Sequence, residues 1–457
     1  MEITMLPEQY LQRMKRMLGD EFEDFTEAYS REPVRSLRAN RLKKGQDIRN
    51  FFELTPFSWC EDAYYYKEKS FPGKHPLHEA GAYYIQEASA MLPAELLDIQ
   101  GSLRVLDLCA APGGKSTQIA AAMSGRGILV SNEIIPKRAK VLSSNMERMG
   151  VSNAVVTNEA PDALAARLPA FFDRILVDAP CSGEGMFRKN PEAIAEWREE
   201  NIRVNAERQL DILDKADLML SDGGRLVYST CTFSPEEDEE VVSRFLQSHP
   251  WYELVEIPVH SGIEHGRSEW TESEDERVSR TLRIFPHKAG GEGHFAAGFQ
   301  KNGEQAGRSP SGSVAASGKL PEGMRKEFDS FAGEVFKTRP EFEELLLFGD
   351  TLCAVPGDMI PLRGLKAERV GLELGKLRSG RFVPAHAWAM AAEPGTLRSY
   401  EVRDIGEAAA YIRGEALRAE AERGYLAVTF AGYTLGWGKS DGRMIKNHYP
   451  KGLRKSL

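Results

Sequence analysis

The sequence predicts an α/β protein built on a parallel sheet with helices on both faces, set between a small leading region and a trailing domain. Three observations predict it. The chain has 457 residues, more than one ordinary hydrophobic core fills. Its middle alternates short apolar runs with helix-like stretches, and that order yields a parallel sheet because each crossover returns the chain to the same edge. A stretch rich in Gly, Ser and Ala, KNGEQAGRSPSGSVAASGK at 301–319, interrupts the alternation and reads as a flexible linker.

Residues 1–75 form a leading extension with a helical start, LPEQYLQRMKRML, and a basic segment, VRSLRANRLKK (34–44). The core is expected over 76–300. Its strands are RVLDLC (104–109), GILVSNE (127–133), AVVTN (154–158), RILVDAP (174–180) and GRLVYSTC (224–231). Helices are expected at STQIAAAM, PKRAKVLSSNMERMG and NAERQLDILDKADLML between them. WYELVEI and TLRIFPHKAGGEGHFAAGF supply two further strands, the glycines marking a turn. Residues 320–457 form a separate domain ending in YLAVTFAGYTLGWGK, an alternating strand pattern, and a basic tail. No internal repeat is present.

The five cysteines are an odd number, widely spread and without metal-ligand spacing, so free thiols and no metal are expected. No stretch of apolar residues is long enough to span a membrane, and the N-terminus lacks a basic region followed by an apolar one. The expected setting is the cytoplasm, and the expected state a monomer. A net charge of −9 argues against nucleic acid as a partner on average. The basic residues are clustered, however, in VRSLRANRLKK and in the closing GKSDGRMIKNHYPKGLRKSL, and two such clusters on an acidic chain suggest a binding surface.

DLCAAPGGKS (107–116) joins the first core strand to a helix through small residues and two glycines. Such a turn lets backbone approach a ligand and ends at a helix N-terminus, whose N–H groups attract a carboxylate or phosphate. It is neither GxGxxG nor GxxxxGK[ST], so neither a dinucleotide nor a nucleoside triphosphate is indicated. Glu133 closes the second strand, where a ribose hydroxyl pair is read. Together they point to S-adenosylmethionine. DAPCSGEGMFRKNP (178–191) then places a carboxylate, Asp178, and a thiol, Cys181, at the same sheet edge, and YSTCTFSPEEDEE (228–240) brings a second thiol, Cys231. The acids after Pro235 are expected in the first turn of the next helix, where negative charge favours the dipole.

Two thiols beside a methyl donor have a chemical reading. Carbon 5 of a pyrimidine is a poor nucleophile. Addition of a thiolate to carbon 6 makes the ring an enamine whose carbon 5 can attack a methyl sulfonium, and elimination restores aromaticity. Asp178 is placed to contact the ring at N3, and to donate a proton there its pKa must be raised by the pocket. This logic does not decide which cysteine attacks.

RVLDLCAAPGGKSTQIA, DAPCSGEGMFRK, LVYSTCTFSPEEDEEVV and YIQEASAM (84–91 within the run from Tyr83) resemble the Nop/Sun (NSUN-type) RNA cytosine-5 methyltransferases. The closing GWGKSDGRMIKNHYPKGLRK is similar to the RsmF (YebU) branch, which acts on small-subunit ribosomal RNA. The resemblance implies a Rossmann-like class I SAM-dependent methyltransferase core, a small N-terminal α/β extension and a C-terminal α+β PUA-like RNA-binding domain. It implies Cys231 as nucleophile, Cys181 as the thiol assisting product release, and Asp178 between cofactor and base. Cys109, Ala110, Ala111, Pro112, Gly113, Gly114 and Lys115 would line the cofactor, Glu133 would hold its ribose, and Arg138 would add a contact. Where the family has an acid reading the adenine amino group, this chain has TNEAPDA with Ala160 aligned, so Asn158 or Glu159 is expected to substitute. Arg35, Arg38, Arg41, Phe187, Arg188, Lys189, Lys446, Lys451 and Arg454 are the expected RNA contacts, with ribosomal RNA of the small subunit as partner. Transfer RNA as substrate, and a non-catalytic RNA-binding assembly factor on the same scaffold, are the competing readings.

Overall fold

The computed structural model describes residues 6–303 and 320–457; the stretch read as a linker begins inside the last core strand, and from residue 304 to 319 it lies outside the described residues. Helices Glu8–Leu18 and Phe22–Ser30 precede a four-stranded antiparallel sheet of β1 (Ser36–Ala39), β2 (Leu54–Pro56), β3 (Ala63–Tyr66) and β4 (Tyr83–Ile85), in the order β2-β3-β1-β4. This first sheet therefore continues past residue 75, through the YIQ segment. Five parallel strands follow: β5 (Arg104–Asp107), β6 (Ile128–Asn132), β7 (Ala154–Thr157), β8 (Phe172–Asp178) and β9 (Leu220–Thr230). Every position of β6 and β7 is buried, as helices on both faces require. One of those helices, Pro136–Arg148, opens on proline and buries Ala139, Leu142 and Met146 along one stripe.

Strands β10 (Tyr252–Leu254), β11 (Ile263–His265), β12 (Leu282–Ile284) and β13 (His294–Lys301) extend the sheet antiparallel beyond β9. Its order runs β11-β12-β13-β9-β8-β5-β6-β7, so the chain reverses direction across the sheet between β5 and β8. Ligands of open α/β sheets sit beyond the carboxyl ends of the strands at such a point.

The trailing region holds β14 (Glu344–Phe348), β15 (Thr351–Val355), β16 (Ala367–Val370), β17 (Leu372–Arg378) and β18 (Arg381–Pro384), then β19 (Ser399–Glu401), β20 (Leu417–Arg418), β21 (Gly424–Phe430), β22 (Tyr433–Ser440) and β23 (Met444–Asn447). The run YLAVTFAGYTLGWGK is thus a hairpin, β21 against β22, turning at Ala431–Gly432. Among the contacts that bind this region to the rest, two build shared cores. Strand β16 pairs with β7 and completes the large sheet, carrying Met359, Ile360 and Val370 into the main core. On the other side Val428 and Leu435 share one hydrophobic core with Leu37 and Tyr83 of the leading sheet. Apolar faces of the first and last parts of the chain are buried against each other, which is where the hydrophobic term of folding draws them together. Among the described residues no helix is long and apolar enough to cross a membrane.

Candidate active site

The turn after β5 builds one wall of a cavity of about 230 Å³ at the reversal point. Gly113 adopts φ +112° and lets the helix Gly114–Met123 start at once, a conformation that a side chain would strain. Cys109, Ala110, Ala111, Pro112, Gly114 and Lys115 line the cavity with Asp107 and Asp178, and the leading region closes it with Tyr84, Gln86 and Glu87. Asp107 Oδ2 accepts from Ser116 Oγ at 2.6 Å, while its Oδ1 is buried without a partner, and burial pushes this carboxyl up to about 7. An orphaned carboxyl oxygen on a residue that lines a small cavity suits a cationic ligand group, such as the ammonium of an amino-acid tail. Burial and the carboxylates of Asp107, Asp178 and Glu133 hold the Cys109 thiol protonated.

Beside the cavity, Glu133 is buried at the end of β6; its side chain accepts from Ile135 N at 2.9 Å and pairs with Arg138 at 3.3 Å. Arg138 also donates to Ala111 O at 2.7 Å, tying the acid to the glycine turn. Asn158 Nδ2 donates to Glu133 O at 2.6 Å. Glu159 Oε1 accepts from Lys366 N at 2.7 Å, and Asn158 N donates to Lys366 O at 2.8 Å, so the segment leading into β16 holds both candidates for the adenine end. Asn132, which sequence reading missed, staples three strand ends through Leu108 O, Glu159 N and O, and Thr157.

The two thiols meet. Cys181 Sγ lies 3.5 Å from Cys231 Sγ, one after β8 and the other after β9, neighbours in the sheet. Gly185 makes the approach possible: a Cβ there would stand 2.9 Å from Cys231 O, to which Gly185 N donates at 2.8 Å. The contact with Cys231, burial and the Glu237 carboxylate all raise the pKa of Cys181, so this thiol keeps its proton.

Two acids lock the turns reciprocally. Glu184, from the first turn, accepts from Phe233 N at 3.1 Å and Ser234 Oγ at 2.9 Å in the second, and from Trp197 Nε1 at 3.0 Å. Glu237, from the second, accepts from Ser182 N at 3.0 Å and from Gln209 Nε2 at 2.9 Å. Hydrogen bonds to a charged acceptor contribute about 1.5–3 kcal/mol each, so the cysteines are held by side chains flanking the motifs. The expectation for the acids after Pro235 holds for Glu239 and Glu240, which stand in the first turn of the next helix, and not for Glu236, Glu237 and Asp238, which precede it. The helix starts only at Glu239, and Glu237, Asp238 and Glu239 are buried, the last two paired with Arg283.

Asp178 closes the site from beneath. Its Oδ2 accepts from Lys115 Nζ at 2.7 Å and its Oδ1 from Ser229 Oγ at 2.8 Å. Burial pushes the carboxyl up, but the Lys115 ammonium and the nearby His294 outweigh it and hold Asp178 well below the usual carboxylate range. The raised pKa expected of a proton donor is reversed: Asp178 is a carboxylate here.

Several expected RNA contacts are structural instead. Arg38 is 2% exposed and donates to Gln86 Oε1, Gly114 O and Thr117 Oγ1, joining the leading sheet to the helix Gly114–Met123. Phe187 is buried edge-on to Tyr10, with ring centroids 5.0 Å apart. Arg188 pairs with Glu292 and donates to Ala28 O, and Lys189 donates to Val34 O, so both hold the cysteine turn to the leading region. Arg41 pairs with Glu61 and Asp62. Arg35 is exposed, as are Lys446, Lys451 and Arg454. Lys439 and Lys446 face each other across β22 and β23. Among the described residues no cluster of side chains suits a metal ion.

Residues 94–300 match the family described as 16S rRNA methyltransferase RsmB/F. Residues 6–88 match the N-terminal domain of 16S rRNA methyltransferase RsmF, 330–391 its first C-terminal domain, and 403–455 its PUA domain. The chain is 32% identical to ribosomal RNA small subunit methyltransferase F of Erwinia tasmaniensis over 98% of this chain and 96% of that one. It is 34% identical to the protein of that name from Klebsiella pneumoniae, with the same coverage. Among solved structures it is similar to a methyltransferase homolog protein from Pyrococcus horikoshii, with a TM-score of 0.56 and 26% identity over 65% of this chain and 96% of that one.

Proposed function

We propose that this chain, which belongs to the family of ribosomal RNA small subunit methyltransferases F, transfers a methyl group from S-adenosylmethionine to carbon 5 of cytidine in 16S ribosomal RNA. The observation that carries this reading is the thiol pair, 3.5 Å apart on the turns after β8 and β9, with Asp178 at the end of β8 lining the cavity. The cofactor supplies an electrophilic methyl group. Asp107 would meet its ammonium, the Cys109–Lys115 turn its amino-acid tail, Glu133 its ribose, and Asn158 or Glu159 its adenine.

Cys231 is the nucleophile in this reading. The contact between the two thiols supports that order, since Cys181, whose pKa is raised, stands 3.5 Å from Cys231 and can donate its S–H to that sulfur. The Cys231 thiolate adds to carbon 6 of the base and later leaves from it, when the proton on carbon 5 departs. Cys181 assists that release. Asp178, being ionised, accepts a hydrogen bond from the exocyclic amino group of cytosine. Lys115, 2.7 Å from it, is the nearest source of a proton for N3. The exposed Lys439, Lys446 and Lys451 would contact phosphates.

Mapping of 5-methylcytosine in 16S ribosomal RNA from cells with and without the gene tests the substrate; loss of a mark from transfer RNA in place of 16S would transfer the reading to the other RNA. Cys231→Ala is expected to lower methyl transfer by at least about 10³-fold. Cys181→Ala is expected to leave an enzyme–RNA adduct visible as a gel shift. An active Cys231→Ala enzyme would overturn the nucleophile.

A further inference from the structure

We propose that His294 is a positioning residue for the reaction, holding Asp178 in the orientation that meets the base. His294 opens β13, and the next residue, Phe295, is in register with Thr230, which precedes Cys231. Its side chain is 4% exposed, and its Nε2 stands 3.6 Å from Asp178 Oδ1, about 0.5 Å beyond the usual N–H···O length. That nitrogen is buried with no hydrogen-bond partner. A buried ring nitrogen aimed at a carboxylate and left short of it is costly unless another state of the site completes the bond.

The carboxylate has room for it. Two oxygens offer about four acceptor positions. Ser229 fills one on Oδ1 and Lys115 one on Oδ2, which leaves one for an imidazole N–H and one for the base. Once His294 closes on Oδ1 beside Ser229, two donors oppose rotation of the carboxylate and leave a position on Oδ2 for the base. The imidazole is neutral, since burial and the Lys115 charge lower its pKa, so it can donate without adding a competing positive charge beside Lys115. Glu87 is the remaining charged group near it.

The inference rests on the reading of Asp178 as the carboxylate that meets cytosine, and the experiment separates the two. Full-length enzyme carrying His294→Leu or His294→Gln, alone and with Asp178→Asn, is assayed for methyl transfer to 16S ribosomal RNA under single-turnover and steady-state conditions. His294→Leu is expected to lower kcat about tenfold, the loss of one charge-assisted hydrogen bond, with KM for cofactor and RNA within twofold. His294→Gln, which keeps a donor, is expected to recover most of it, and His294→Leu is expected to cost nothing further in Asp178→Asn. Equal loss in both backgrounds, an unchanged kcat, or glutamine no better than leucine would overturn the role. Wild-type turnover by Asp178→Asn would instead remove the reading of Asp178. If His294→Leu does not melt like the wild type, the glutamine variant and an His294→Asn variant carry the cycle.

Discussion

In the leading basic segment, 34–44, Arg38 is buried in hydrogen bonds, Arg41 is paired with two acids, Lys43 donates to Ala80 O and Lys44 pairs with Glu393; in the closing segment, 438–457, Lys439 and Lys446 face each other at the surface and form no ion pair among the described residues. The two read alike in sequence. They differ because β1 lies between two packed bodies, so its side chains must join them, whereas β22 and β23 turn a face to water. Like charges directly opposite on neighbouring strands repel, and a phosphate placed between them relieves that repulsion. Local charge density therefore marks a binding surface only where the fold leaves the charge unneutralised.

Three variants test this contrast, in order of expected effect. Arg38→Met removes three hydrogen bonds, leaves Gln86 Oε1 and Thr117 Oγ1 without a donor and is expected to destabilise the protein by about 3 kcal/mol, read as a lower midpoint in urea. RNA affinity per folded molecule should keep its salt dependence; a shallower salt slope would return Arg38 to the binding surface. Lys439→Ala with Lys446→Ala should do the reverse. The slope of log K against log salt is expected to fall by about 2, one per lost phosphate contact, with stability unchanged or slightly raised. An unchanged slope would remove the hairpin from the interface. Arg41→Ala is expected to change stability by less than about 1 kcal/mol, since its pairs are half exposed, and to leave the slope alone.

The strands, the glycine turn and both cysteine turns were legible in the sequence because each depends on local pattern. Apolar runs bounded by small residues give buried strands, and Gly113 is needed where φ is positive. Glu184 and Glu237 were visible only as charges among charges, because each acts on the opposite turn, more than 45 residues away along the chain. His294 sat in a glycine-rich hairpin and gave no signal of its own. The pairing of the trailing region with the core gave no signal for a related reason: β16 is a short strand without marked periodicity, and its meaning comes from the open edge of β7.

By itself the sequence determined the parallel α/β core, the glycine turn and the presence of two thiols and an acid at one sheet edge, since strand order and motif position follow from the chain's own periodicity. Tertiary structure decided what state those groups are in. Lys115 folds against Asp178 and keeps it ionised, Cys231 and Glu237 keep the proton on Cys181, and packing against the helix Gly114–Met123 turns Arg38 from a surface charge into a fastening. Protonation and exposure depend on neighbours brought from distant parts of the chain, and no local pattern encodes them.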